Sequence, residues 1–104
     1  MPIPPLHPDT RAFLARSPHK LLIDGRWTPA ASGATYTSIS PSDGAALAEL
    51  ASAGVEDVER AVAAARRAFE NGWADMLPRE RERLLRRFAD LIAAHADELA
   101  ELES

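Results

Sequence analysis

The chain has 104 residues, a formal net charge of −4 and no cysteine, and 21 of its residues are alanine. That length holds one small domain at most, and a core built largely of methyl groups is thin. The acidic balance argues against a general nucleic-acid binder, whose footprint is basic, and the lack of cysteine excludes a disulfide framework, a thiolate metal site and a cysteine nucleophile.

Residues 1–9 carry four of the eight prolines and read as an extended arm. The start, "MPIPPLHPDTRAF", lacks a basic segment followed by an apolar one, so it is no secretory signal. No run approaches the roughly 20 apolar residues of a membrane span, and the cytoplasm is the expected compartment. "DTRAFLARSP" predicts a short helix, capped by Asp9 or Thr10 and stopped at Pro18. Residues 1–19 thus form an arm with a short helix.

Residues 20–53 read as a β-ribbon of two or three short antiparallel strands. In "HKLLIDGRWTPA", Asp24-Gly25 lies between β-prone residues, the strongest short hairpin signal, because both turn positions must accept positive φ. "TYTSIS" is β-branched and aromatic. "SPSDG" is a turn, and "AALAELAS" suits a strand or a helix. Trp27 and Trp73 are expected as packing anchors rather than ligand platforms.

From residue 55 the period becomes helical. Val58, Val62, Ala65 and Phe69 form one apolar stripe over residues 55–71. Glu56, Asp57 and Glu59 at its start and Arg66 and Arg67 near its end agree with the helix dipole, and Gly72 is the stop. A second helix is expected over 78–104, with Pro78 at its first position and a buried face of Leu84, Leu85, Phe88, Leu91, Ile92, Leu99 and Leu102. Unbroken, it spans roughly 40 Å, long for a compact chain with a radius of gyration of about 13 Å, so it is expected to lie on a larger body. Its end, "ADELAELES", has no stop signal and places carboxylates where the dipole favours cations. That ending is expected to be the middle of a helix in a longer chain.

Chemistry is sparse. "RERERLLRRF" with its five arginines could face phosphate, but Glu82/Arg86 and Glu80/Arg83 are ordinary helix-surface pairs. His7, His19 and His95 lie far apart, with no carboxylate at metal-ligand spacing. No glycine-rich phosphate loop and no nucleophile elbow are present. No catalytic and no cofactor-binding residue is assigned.

The order of elements carries more. A strand with a Gly-x-Trp turn, a small-residue loop, a β-run, a Pro-x-x-Gly turn, "EDVERAVAAARRAF", Trp73 and "PRERERLLRRFADLI" together resemble the N-terminal region of the aldehyde dehydrogenase superfamily over about residues 20–104. Ser40 stands where that family usually has Asn, and Leu77 where Ser or Thr often caps the second helix, so that cap is absent or supplied otherwise. The resemblance implies an α+β segment, a short antiparallel ribbon followed by two long helices, that belongs to the α/β Rossmann-like cofactor domain of a larger enzyme. It implies NAD or NADP in the parent, none bound by this segment, an aldehyde oxidised to a carboxylic acid, no nucleic acid and no membrane, and a parent that is a homodimer or homotetramer. The chemistry would use a cysteine and a glutamate outside these residues. Some members hold a structural monovalent cation on backbone oxygens, here those of Ser38 or Ile39. "TRAFLARSPHKLLIDGRW" is similar to the phenylacetaldehyde dehydrogenase group, which makes an aromatic substrate an expectation. Against this stand a non-catalytic remnant or small helical interaction module and, last, a nucleic-acid-binding helical module resting on the arginines alone.

Overall fold

The computed structural model describes residues 5–104. In chain order the elements are α1 (Pro8–Leu14), β1 (Leu21–Ile23), β2 (Arg26–Thr28), β3 (Thr35–Ile39), β4 (Ala46–Ala51), α2 (Val55–Glu70), α3 (Pro78–Ala94) and α4 (Ala96–Glu103). They fall into two compact units: Leu14–Ala74, and the α1 end of the chain with Asp75–Ser104.

In the first unit, β1 and β2 pair antiparallel with Leu22 opposite Trp27. Asp24 and Gly25 turn between them at φ 53° and 71°, the doubly left-handed geometry that Asp-Gly favours. β3 and β4 make a separate ribbon, Thr35 opposite Ala51 and Ser38 opposite Ala48, with a bulge between Ser38 and Ile39. The single ribbon expected over 20–53 is therefore two two-stranded ones. Pro29, which has no N–H for a ladder, and the loop after it separate them. The turn at 40–45 is closed by Gly44 N–H on the Ser40 carbonyl at 2.9 Å and Ser40 N–H on the Ala45 carbonyl at 2.8 Å. β4 also engages its other edge: His19 donates to the Glu49 carbonyl and accepts from Ala51 N–H, both at 2.8 Å. Ser17 Oγ accepts Glu49 N–H at 2.8 Å. α2 ends where Asn71 N–H meets the Arg67 carbonyl and Gly72 turns at φ 76°.

In the second unit α1 begins one residue before its expected caps. Pro8 suits a first helical position, His7 Nδ1 accepts Asp9 N–H at 3.3 Å, and the His7 carbonyl accepts Arg11 N–H. The cap is His7, with Asp9 and Thr10 inside the first turn. At α3, Glu80 Oε2 accepts Leu77 N–H at 3.3 Å, which supplies from the third helical position a bond at the helix start that lacks its Ser or Thr.

The continuous helix expected over 78–104 is interrupted. His95, at φ −113° and ψ 23°, leaves helical geometry, and α4 starts at Ala96. Two local causes act together. Asp97 and Glu98 become first-turn residues of a new helix, where the dipole favours carboxylates, and His95 Nδ1 sits 3.3 Å from Glu98 Oε2. A third is distant in sequence: Glu101 on α4 is held by α1, as described below.

Among the described residues the only buried apolar side chains are those of Ala30 and Ala64. Trp27 and Trp73 are exposed among the described residues. Val58, Val62 and Phe69 of the α2 stripe are more than half exposed, and the seven apolar residues expected as the buried face of 78–104 are 40–61% exposed. Periodicity marked which residues share a face, but within each unit no element lies over that face.

Candidate functional site

Two carboxylates organise the structure, one in each unit. Asp57 is 2% exposed. Its oxygens accept Ala31 N–H at 3.0 Å, Gly54 N–H at 3.0 Å and the Arg60 guanidinium at 2.5 Å. It thus satisfies an orphan donor at the start of α2 and ties the loop after β2 to that helix. The Gly54 N–H, then the Arg60 guanidinium, hold the Asp57 carboxyl below its ordinary value against the opposing effect of burial, with Ala31 N–H adding to the lowering.

Glu101 plays the corresponding part in the other unit. Thr10, 1% exposed, donates its hydroxyl to Glu101 Oε2 at 2.5 Å. The His7 N–H lies 3.0 Å from both carboxylate oxygens. The Thr10 hydroxyl first, and then the His7 N–H, lower the Glu101 carboxyl below its ordinary value while desolvation opposes them. His7 and His95 line one shallow cleft with Asp9, Asp97 and Glu98. The His7 ring, whose Nδ1 accepts the Asp9 N–H, lies 3.7 Å from the Asp9 carboxylate, and His95 Nδ1 lies 3.3 Å from that of Glu98. Among the described residues no group of three or more His, Asp or Glu side chains is placed to hold a metal.

The two backbone positions expected to bind a cation differ. Ser52 N–H donates to the Ala34 carbonyl, and hydrogen-bonded pairs alternate along an antiparallel ladder. By that alternation the carbonyl of Ser38, opposite Ala48, faces the partner strand, whereas beyond the bulge Ser40 N–H donates inward to Ala45, so the Ile39 carbonyl of the same trans peptide faces the outer edge. One outward carbonyl fits a contribution to an oxygen-lined site and is too little to form one alone. The arginine cluster behaves as a solvated surface, with Arg86 Nε 2.9 Å from Glu82 Oε1 and both side chains exposed. No helix of the described residues is long and apolar enough to cross a membrane.

Sequence reasoning assigned Asp57 only a dipole role and gave Thr10 and Glu101 none together. The signal for Asp57 was local: an acid three residues into a helix reaches back to the cap N–H. Thr10 and Glu101 are 91 residues apart, and no local pattern joins them. All three are structural posts. The chain holds no thiol nucleophile and no glycine-rich phosphate loop.

Such a supporting segment, two ribbons and amphipathic helices without reacting groups, has its counterpart among the dehydrogenases. The Aldehyde dehydrogenase family model matches residues 27–104. Cytosolic 10-formyltetrahydrofolate dehydrogenase of Xenopus laevis is 50% identical over 88 residues, covering 84% of this chain and 10% of that protein. The mitochondrial benzaldehyde dehydrogenase of Antirrhinum majus is 48% identical over 86 residues, covering 82% and 16%. The NAD+ complex of aldehyde dehydrogenase from Bacillus cereus superposes with a TM-score of 0.89 at 42% identity, over 95% of this chain and 20% of that one. The chain belongs to the aldehyde dehydrogenase family. It spans only 10–17% of the length of the curated relatives named here and the putative DhaS dehydrogenase of Bacillus subtilis.

Proposed function

We propose that this chain is the N-terminal part of an NAD- or NADP-dependent aldehyde dehydrogenase that oxidises an aldehyde to a carboxylic acid, and that the 104 residues alone are inactive. The match of residues 27–104 to the family carries the reading. The likeness to a Bacillus cereus enzyme solved with NAD+ supports the cofactor. Hydride acceptance is the chemistry the nicotinamide supplies when bound. The residues present do not fit a dinucleotide site, since no glycine-rich loop follows a strand here, and no step is derived through it. What these residues contribute is position: Asp57 holds the loop at Ala31 to the start of α2, so that the β-ribbons and α2 present one fixed surface. A structural cation in the parent takes the outward carbonyl of Ile39 rather than that of Ser38, a choice the ladder parity supports. An aromatic aldehyde as substrate is supported by the benzaldehyde dehydrogenase among the relatives. The cytoplasm as compartment and a homodimeric or homotetrameric parent complete the reading.

A chimera tests it. The matching N-terminal fifth of the Bacillus cereus enzyme is replaced by this chain, and NADH formation is followed with acetaldehyde and benzaldehyde. Activity in the chimera, with none from this chain alone, is the expected result. A folded, NAD-binding chimera that oxidises neither aldehyde would overturn the assignment.

A further inference from the structure

Asn71 is the one asparagine of the chain, which has no glutamine. It stands exposed at the end of α2, directly before Gly72. An asparagine before glycine can react with its own backbone: the Gly72 nitrogen attacks the Asn71 Cγ and a cyclic imide closes. Glycine offers the least hindered nitrogen for this, having no side chain, and no atom lies within 4 Å of where a Gly72 Cβ would stand. The folded end of α2 works against closure. At ψ 135° the Gly72 nitrogen is rotated away from the Asn71 side chain, and ring closure needs the two eclipsed. Asn71 Nδ2 donates to the Arg67 carbonyl at 3.1 Å. Asn71 N–H donates to the same oxygen at 2.9 Å, and the Asn71 carbonyl accepts Trp73 N–H at 2.9 Å. The reacting atoms meet only when the last turn of α2 opens, and helix ends are where opening is easiest.

We propose that Asn71-Gly72 is a self-modification site, deamidating through the imide whenever the end of α2 opens. The bond from the Gly72 nitrogen to Cγ forms, the Cγ–Nδ2 bond breaks, and the proton of the attacking nitrogen leaves with the amide as ammonia. Water then opens the ring at either carbonyl and leaves aspartate or isoaspartate at position 71; nothing is oxidised or reduced. The product is a carboxylate at the negative end of α2, where the dipole opposes it, and the amide donor to the Arg67 carbonyl is gone. Arg67 now has its guanidinium 3.5 Å from Asp24 in the β1–β2 turn. The new carboxylate, at i,i+4 spacing from Arg67, competes for that guanidinium and loosens the hairpin from α2. The reacting atoms belong to adjacent residues, so nothing outside the chain is needed, and the inference is independent of the dehydrogenase reading.

The test uses the whole chain. Asn71 holds its only carboxamide side chain, so released ammonia and the accompanying mass change report this residue alone; Asp24-Gly25 and Asp43-Gly44 can isomerise but release none. The folded chain should release ammonia at a rate that rises with pH, because the attacking nitrogen must shed its proton. Peptide mapping should find both isoaspartate and aspartate at position 71. The urea-unfolded chain should react about tenfold faster, the factor held back by the hydrogen bonds at the helix end. Asn71→Asp installs the product and should cut amide protection in the last turn of α2 and in β1–β2 about two- to fivefold, with α4 unchanged. Equal rates in the folded and unfolded chains would overturn the gating by α2. A folded chain that releases no ammonia while the unfolded one does would overturn the site, and aspartate without isoaspartate would overturn the imide route. Unchanged protection in Asn71→Asp would refute the effect on the hairpin.

Discussion

Replacing Thr10 by Val tests whether a single hydroxyl anchors α4. The substitution keeps the shape of a side chain that is 1% exposed and removes the donor that reaches Glu101 Oε2 at 2.5 Å. A hydrogen bond to a charged acceptor contributes about 1.5–3 kcal/mol. The lower half of that range applies, because the His7 N–H remains 3.0 Å from both carboxylate oxygens. A loss of about 2 kcal/mol corresponds to roughly thirtyfold in the opening equilibrium. Amide hydrogen exchange reads this locally: the α4 amides, Leu99 N–H among them, should lose about thirtyfold in protection, and those of α2 should not change. Thr10→Ser keeps the hydroxyl and deletes one methyl, so about 1 kcal/mol is lost, or roughly fivefold. The pH dependence gives a second reading with a fixed sign. Glu101 has its carboxyl lowered in the folded state, so its contribution is present above the unfolded pKa and disappears as pH falls through the folded one. The gap between Thr10→Val and the parent chain should therefore be full at neutral pH and shrink in acid below the ordinary value of 4.5. Unchanged α4 protection in Thr10→Val, or a Thr10→Ser loss as large as that of Thr10→Val, would refute the reasoning.

Asp57→Asn should lower the thermal midpoint and expose Ala31 and Gly54 N–H to exchange, since the carboxylate bridges both; the lowered carboxyl makes this contribution fade as pH drops through the acid range, and Glu56→Gln, also in the first turn, serves as the control. Gly44→Ala forces a side chain to φ 73° and should cost about 1–2 kcal/mol although the space there is open, read as a loss of β3–β4 amide protection. Arg86→Ala breaks an exposed i,i+4 pair with Glu82 and should move stability by no more than about 0.5 kcal/mol in urea titrations.

The elements whose causes are local could be read from the residues. Asp24-Gly25 carries its own turn, Pro78 its own helix start, and Gly72 its own stop. The β3–β4 ribbon followed from "TYTSIS" and the turn after it. What escaped reading depends on distant partners or on missing cover. His19 reaches the far edge of β4 at Glu49 and Ala51, a contact with no signature in "PHK". The faces of α2 and α3 could be read, because periodicity reports which residues share a side, but it says nothing of what lies on it. Of the two proposed cation ligands, the parity of the ladder separates Ser38 from Ile39, and parity is fixed by the register with β4 rather than by the strand itself.

The end of the chain shows how a sequence conflict marks a structural event. Carboxylates at the end of a helix oppose its dipole, and in "ADELAELES" Glu101 and Glu103 sit in the last turn of a helix running from Pro78, with Asp97 and Glu98 just before it. The break at His95 reverses the sign for two of them, since Asp97 and Glu98 now stand at a positive end. Glu101 gains hydrogen bonds from Thr10 and His7 instead. Glu103 alone is left opposed to the dipole. The same sorting leaves α3 rich in arginine and α4 rich in carboxylate. If Asp97 and Glu98 favour the break, then replacing both by Lys should lengthen α3 through His95. Hydrogen exchange would show it as protection of the Asp97 and Glu98-site amides rising toward that of Leu91, and protection left unchanged would mean that the Glu101 contacts alone impose the bend.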